Sequence, residues 1–206
     1  MASKHNISIA VLIVFHAVGI GGILYGDAAT FLRLTPLNLL LTFGIICLNH
    51  LDWKRAWIFI LTYFVGFGVE VLGVQTGVPF GNYAYGPVLG PKLWSTPLLI
   101  GVNWIILLYG ANALARKFAM TPWAQALVAA GLMVLLDYLI EPVAIRFDFW
   151  SWENGVPPLS NYLGWFGTAL TLSLVWQYAR FRLNTSVAMA VYAVELAFFG
   201  TVNLIP

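Results

Sequence analysis

Between Ala56 and Thr76 the chain reads AWIFILTYFVGFGVEVLGVQT, and this stretch decides the fold. Its one charged residue is Glu70. At about 1.5 Å of rise per residue, a helix of this length crosses the roughly 30 Å hydrocarbon core of a bilayer. Working outward, further apolar runs cover Ile7 to Tyr25, Pro36 to Asn49, Pro97 to Ala115, Pro122 to Ala144, Tyr162 to Tyr178 and Thr185 to Leu204. Proline stands at or near the start of three of them, where its missing N–H costs a helix nothing. The run from Pro36 is short for a span. The first run follows Lys4 and precedes Gly26-Asp27-Ala28, a loose likeness of a cleavage site. It exceeds the roughly 7–15 residues of a signal-peptide core, so a retained first helix is expected.

The whole chain agrees with this stretch. Of its 206 residues 61% are hydrophobic and 9% charged, where a soluble domain has about 25% charged residues. A water-soluble globular protein is thereby excluded. The expected fold is an all-α integral membrane protein, a bundle of seven transmembrane helices forming one domain over residues 1–206. No repeat or flexible linker offers a boundary for a second domain. Ten basic and eight acidic residues are spread thinly, which leaves no polybasic face for nucleic acid. The single Cys47 lies inside an apolar run, excludes an intramolecular disulfide and reads as a small buried residue.

Basic residues near span ends stay preferentially in the cytoplasm. Lys4, Lys54, Arg55, Arg116, Lys117, Arg180 and Arg182 fall on the amino-terminal side of the spans, against Arg33, Lys92 and Arg146 on the other. The amino terminus is therefore expected inside. The two long connections, Gly77 to Thr96 and Ile145 to Asn161, are then external, and a bacterial inner membrane is the expected location.

Both connections are rich in aromatics, Gly, Pro and Asn, as in Pro79-Phe80-Gly81-Asn82-Tyr83-Ala84-Tyr85-Gly86 and Phe147-Asp148-Phe149-Trp150-Ser151-Trp152-Glu153-Asn154. Single interfacial rings are ordinary, but together these segments suggest a cap over a cavity. Carboxyl groups within spans are costly and face a bundle interior or a cavity. Glu70 and Asp137 lie about 21 Å along their helices and Asn103 about 9 Å from the opposite start of its own, which places all three in one layer. Asp137 and Glu141 are four apart and share a helical face, with Pro142 marking a break or kink. Gly66, Gly73 and Gly77 beside Glu70 permit close helix approach or leave room for a ligand. His16 and Glu195 sit at comparable mid-membrane depth and are expected to pair. His50 and Asp52 read as helix-end residues, Asp148 and Glu153 as interfacial.

Several chemistries fail on the residues. The last span holds no lysine for a retinal Schiff base, and no aspartate-rich run exists to hold the metal that diphosphate departure demands. The three histidines lack metal-ligand spacing, and no phosphate loop or nucleophile elbow is visible. Carboxyls and aromatic rings facing a lipid-like ligand remain.

Glu70-Val-Leu-Gly-Val-Gln-Thr-Gly-Val-Pro-Phe-Gly-Asn-Tyr-Ala-Tyr, with Pro97-Leu98 and Trp104 after it, resembles the carotenoid biosynthesis membrane proteins of the CruF hydratase type. So does Asp137-Tyr-Leu-Ile-Glu-Pro followed by Phe149-Trp-Ser-Trp-Glu-Asn, Pro158-Leu-Ser-Asn-Tyr and Gly164-Trp165. The resemblance covers roughly residues 60 to 170. It implies hydration of the terminal double bond of an acyclic carotenoid end group, without a redox cofactor. The residues fit independently, because protonating a trisubstituted alkene needs a buried acid and the resulting tertiary cation needs negative or π-rich surroundings. Glu70, Asp137, Glu141 and Asn103 are the catalytic candidates, with Asp137 as proton donor and Glu70 as the base for water. Tyr83, Trp104, Trp150, Trp152, Tyr162 and Trp165 are the candidate substrate-binding rings. No cofactor and no metal is expected, and the expected partners are a carotenoid, membrane lipid and other carotenoid enzymes. Two rivals remain at this level. A carotene cyclase would use the same acid but exclude water, and a non-enzymatic carotenoid or lipid binder or transporter would use the carboxyls for packing or gating.

Overall fold

A computed structural model describes residues 3–49, 53–118, 121–181, 183 and 185–204. His50, Asp52 and Arg182 lie outside the described residues. Seven long helices alternate in direction: α1 (Lys4–Tyr25), α3 (Thr35–Asn49), α4 (Trp57–Thr76), α5 (Ile100–Ala115), α6 (Pro122–Arg146), α7 (Leu159–Tyr178) and α8 (Thr185–Asn203). A short helix α2 (Ala28–Leu32) precedes α3. Taken together, Ala28–Asn49 reaches 22 residues, which completes the span that seemed short from Pro36 alone. Among the described residues five helical stretches are long and apolar enough to cross a membrane. The protein is an all-α membrane protein.

Local chemistry sets the ends. Ser3 caps α1 by accepting from the Asn6 N–H at 3.3 Å, and Thr121 caps α6 by accepting from the Ala124 N–H at 3.3 Å, with Pro122 in the first turn. Gly77 ends α4 in the left-handed region, at φ 75°, and its N–H donates to the Gly73 carbonyl at 2.8 Å. One expectation is corrected here and one narrowed. Pro97 does not open α5 but pairs in a short antiparallel ladder of β2 (Lys92–Leu93) with β3 (Thr96–Pro97), so that helix begins at Ile100. Pro142 does not break α6, which runs on to Arg146.

The core is built around α5. Fourteen of its sixteen residues are buried, because α3, α4, α6, α7 and α8 all pack on it. Small residues permit the approach: a Cβ on Gly101 would meet Tyr63, and one on Gly110 would meet the backbone of Tyr192. Large apolar side chains such as Phe15, Ile60, Phe64 and Leu135 point outward, as a lipid-facing surface requires. Cys47 is a free thiol, half-buried rather than buried.

Candidate functional site

The two long connections meet. Strand β1 (Tyr83–Tyr85) from the first pairs antiparallel with β4 (Trp150–Trp152) from the second, in the register Tyr83 to Trp152, Ala84 to Ser151 and Tyr85 to Trp150. Side chains alternate faces along a strand. Tyr83, Tyr85, Trp150 and Trp152 therefore share the face toward the helices, while Ala84 and Ser151 face away and are exposed. Across the ladder Tyr83 lies 5.0 Å from Trp152 and Tyr85 5.9 Å from Trp150, ring centre to ring centre.

Every one of the four rings ends in an N–H or O–H aimed at a buried carboxyl group. Glu70 Oε2 accepts from the Tyr83 hydroxyl at 2.6 Å and the Tyr85 hydroxyl at 2.7 Å, and its Oε1 accepts from Trp104 Nε1 at 3.1 Å. Glu141 Oε2 accepts from Trp152 Nε1 at 2.8 Å and Trp150 Nε1 at 3.1 Å. Burial first, and then the adjacent Glu70, hold both tyrosine hydroxyls well above the usual phenol range, so they stay protonated donors.

Asp137 is treated differently. Asn161, near the start of α7, donates through Nδ2 to Asp137 Oδ2 at 2.7 Å and to Glu141 Oε1 at 3.2 Å, bridging the two acids on the shared α6 face. Asp137 Oδ1 is buried without a hydrogen-bond partner. Glu70 and Glu141 are thus each held by three donors, and Asp137 by one. A buried polar oxygen left bare costs about 1–3 kcal/mol.

The glycines beside Glu70 serve close packing. A Cβ on Gly66 would meet the Trp104 ring, and one on Gly73 would meet Phe80 and the Tyr83 hydroxyl. The rings of Trp104, Phe80 and Tyr83 pack against these two glycines. Trp104 is fully buried and stacks on Trp165 with centroids 4.4 Å apart.

The remaining candidates divide. Asn103 makes no contact with this carboxyl group; it faces an apolar cavity of about 280 Å³ that Trp150 and Phe149 also line. The reason is angular, since one residue along a helix turns the side chain by about 100° from Trp104. Tyr162 is half-buried at the flank, against the exposed Tyr138. Asp148 and Glu153 are exposed in the turns around β4, Glu153 accepting from Asn82 Nδ2 at 2.7 Å. His16 and Glu195 do approach, at 3.6 Å. Tyr85 and Asn161 were missed as site residues. The alternation Tyr-Ala-Tyr opposite Trp-Ser-Trp could have found the first; Asn161 stands in the quoted Pro158-Leu-Ser-Asn-Tyr stretch, but only the fold shows that it meets the two acids of α6.

Among known proteins, the bisanhydrobacterioruberin hydratase of Haloarcula japonica is 29% identical over 126 residues. The match covers 54% of this chain and 41% of that protein, so the chain spans about two-fifths of the relative's length. No solved structure matches. The family model of the carotenoid biosynthesis proteins matches residues 32–206, which takes in all three carboxyl groups and both capping strands, and the chain belongs to that family.

Proposed function

We propose that the protein hydrates the terminal carbon–carbon double bond of an acyclic carotenoid end group, within the plasma membrane of a bacterium and without a cofactor. The observation that carries this reading is the unequal treatment of three buried acids, two fully held by donors and the third with a bare oxygen. Family membership and the name of the Haloarcula relative point to the same chemistry.

The steps follow from those roles. Asp137, protonated on Oδ1, transfers that proton to the less substituted alkene carbon, and the π electron pair forms the new C–H bond. The tertiary cation left behind is stabilised by the negative charge on Glu70 and Glu141 and by the adjacent ring faces. The donors around those two carboxylates fix them in place before reaction, so no reorganisation is needed as charge develops. A water then adds to the cation, and Glu70 takes its surplus proton. Proton return to Asp137 closes the cycle, with Glu141 and Asn161 on the path between. The net change is addition of one water.

Heavy-oxygen water is the test, in cells that accumulate an acyclic carotene. The hydroxyl of the product is expected to carry the label. An isomeric cyclic product of unchanged mass would replace this reading by a cyclase. Label derived from dioxygen would make the protein a hydroxylase.

A further inference from the structure

On the other side of Trp150 from Glu141 lies the apolar cavity of about 280 Å³, set between α1, α3, α5, α6 and α8. Its rim is formed by Phe15, Val18, Leu34 and Leu37, each roughly half exposed on the outer surface of the bundle, so an apolar chain can enter sideways from a bilayer. Its depth holds polar groups. His16 is buried, and its Nδ1 donates to the Leu12 carbonyl at 2.8 Å, which leaves Nε2 as the open position of the ring. That nitrogen has no hydrogen-bond partner and faces Glu195 Oε1 at 3.6 Å, too far for a direct bond. Asn38 Oδ1, on α3, lines the same cavity and is also buried without a partner.

Polar atoms left open at this depth have no bulk water to satisfy them. Whichever of His16 and Glu195 holds the proton, one of the pair donates and the other accepts, so the group that fits between them does both. A plain hydrocarbon does neither, and a ketone only accepts. An ammonium or a carboxylate would have to shed its hydration to enter a span. A hydroxyl accepts from one member of the pair and donates to the other or to Asn38 Oδ1.

We propose that this groove binds an extended apolar chain bearing a hydroxyl, a hydroxylated isoprenoid, with His16, Glu195 and Asn38 reading the hydroxyl. That the chain is an isoprenoid rests on the proposed function; the demand for a hydroxyl does not. Trp150 joins the two sites, since its ring walls the groove while its Nε1 donates to Glu141. An end group hydrated at the carboxyl cluster therefore has a receiving site one ring away.

The test uses the full chain in phosphatidylcholine nanodiscs, titrated with all-trans-retinol and with its hydrocarbon counterpart lacking the hydroxyl, read by energy transfer from tryptophan. Retinol is expected to bind about tenfold more tightly than the hydrocarbon, the size of one good hydrogen bond. In His16→Phe and in Asn38→Leu the ratio falls below about threefold while hydrocarbon binding persists, which also shows that the variants are folded. Gly19→Leu, whose added side chain meets Phe198 at the groove wall, is expected to weaken both ligands. Equal affinity for the two ligands overturns the proposal, as does a tenfold preference that survives both polar substitutions. Dioleoylglycerol displacing retinol at lower concentration would assign the groove to a lipid hydroxyl and overturn the isoprenoid assignment. Because binding is read without turnover, and can be read in Asp137→Asn, its failure leaves the hydratase reading standing and the reverse also holds.

Discussion

Two buried polar networks lie at opposite ends of the bundle, and they are built on opposite rules. At the amino-terminal end Arg116 donates to the Gln177 side chain at 2.8 Å and to the carbonyls of Trp176 and Phe181. Gln177 in turn donates to Asn112 at 2.9 Å, Asn112 to Ser173 at 3.1 Å, and Trp176 to Thr62 at 2.9 Å. Among the described residues no buried side-chain atom there lacks a partner, and no carboxyl takes part. At the capped end three carboxyl groups are gathered, with rings and an amide supplying the donors and one oxygen left over. A network of amides, hydroxyls and carbonyls gathered around one guanidinium holds helices together. On the proposed hydration, the excess of acid at the capped end is what the reaction uses.

The comparison breaks first on orientation, where the outcome is all or nothing. Reporter fusions after Lys117 and after Lys92 are expected to lie in the cytoplasm and outside respectively. The reverse would place the acid-rich network at the inner leaflet and would contradict the seven-to-three division of basic residues.

Next in size are the acids. Asp137→Asn is expected to lower turnover by about 10²-fold or more, the range for a lost acid or base, with the protein folded and inserted. Its new NH₂ takes the side where no donor stands. Glu70→Gln should lose as much activity and be less stable by about 1–3 kcal/mol, because its NH₂ must face either the Trp104 N–H or the two tyrosine hydroxyls. Product analysis beside a denaturation midpoint separates the two variants. If Asp137→Asn makes normal amounts of hydrated product, the bare oxygen is not the proton source.

How far the sequence reached follows the same division. Charged residues in apolar runs are conspicuous, so Glu70, Asp137 and Glu141 stood out, as did the two aromatic connections. The pairing of β1 with β4 crosses 67 positions between Tyr83 and Trp150 and has no local signal beyond alternation. Depth along a helix places Asn103 in the layer of the acids but not its angle, and the side chain faces the apolar cavity. The amide network is not legible in the sequence, since Asn112, Ser173 and Gln177 are ordinary residues until two helices bring them together.

Gln177→Leu probes the amide end. It leaves the Arg116 Nε and the Asn112 Oδ1 unpaired in a buried setting, for a loss of about 2 kcal/mol in stability. Turnover per folded molecule is expected to stay unchanged. A large drop in turnover at wild-type stability would mean that the two networks are coupled and that the division drawn between them is wrong.

The smallest effect belongs to Tyr85→Phe, and it sharpens the comparison most finely. The ring fits the same space, and Glu70 keeps the Tyr83 hydroxyl and the Trp104 N–H. Loss of one of three donors to a carboxylate removes about 1 kcal/mol of preorganisation, a roughly fivefold fall in turnover. Tyr83→Phe is expected to cost somewhat more, because the Tyr83 hydroxyl also reaches the Glu70 carbonyl at 3.3 Å and its ring lies closer to Trp152. Kinetics on the two variants and on the double variant decide the matter. If the double loss greatly exceeds the product of the singles, the two hydroxyls act as alternates that keep Glu70 held when either is gone. A single Tyr85→Phe loss as deep as that of Asp137→Asn would instead move the decisive proton transfer to the Glu70 side of the ladder, and Asp137 would then be the held partner rather than the donor.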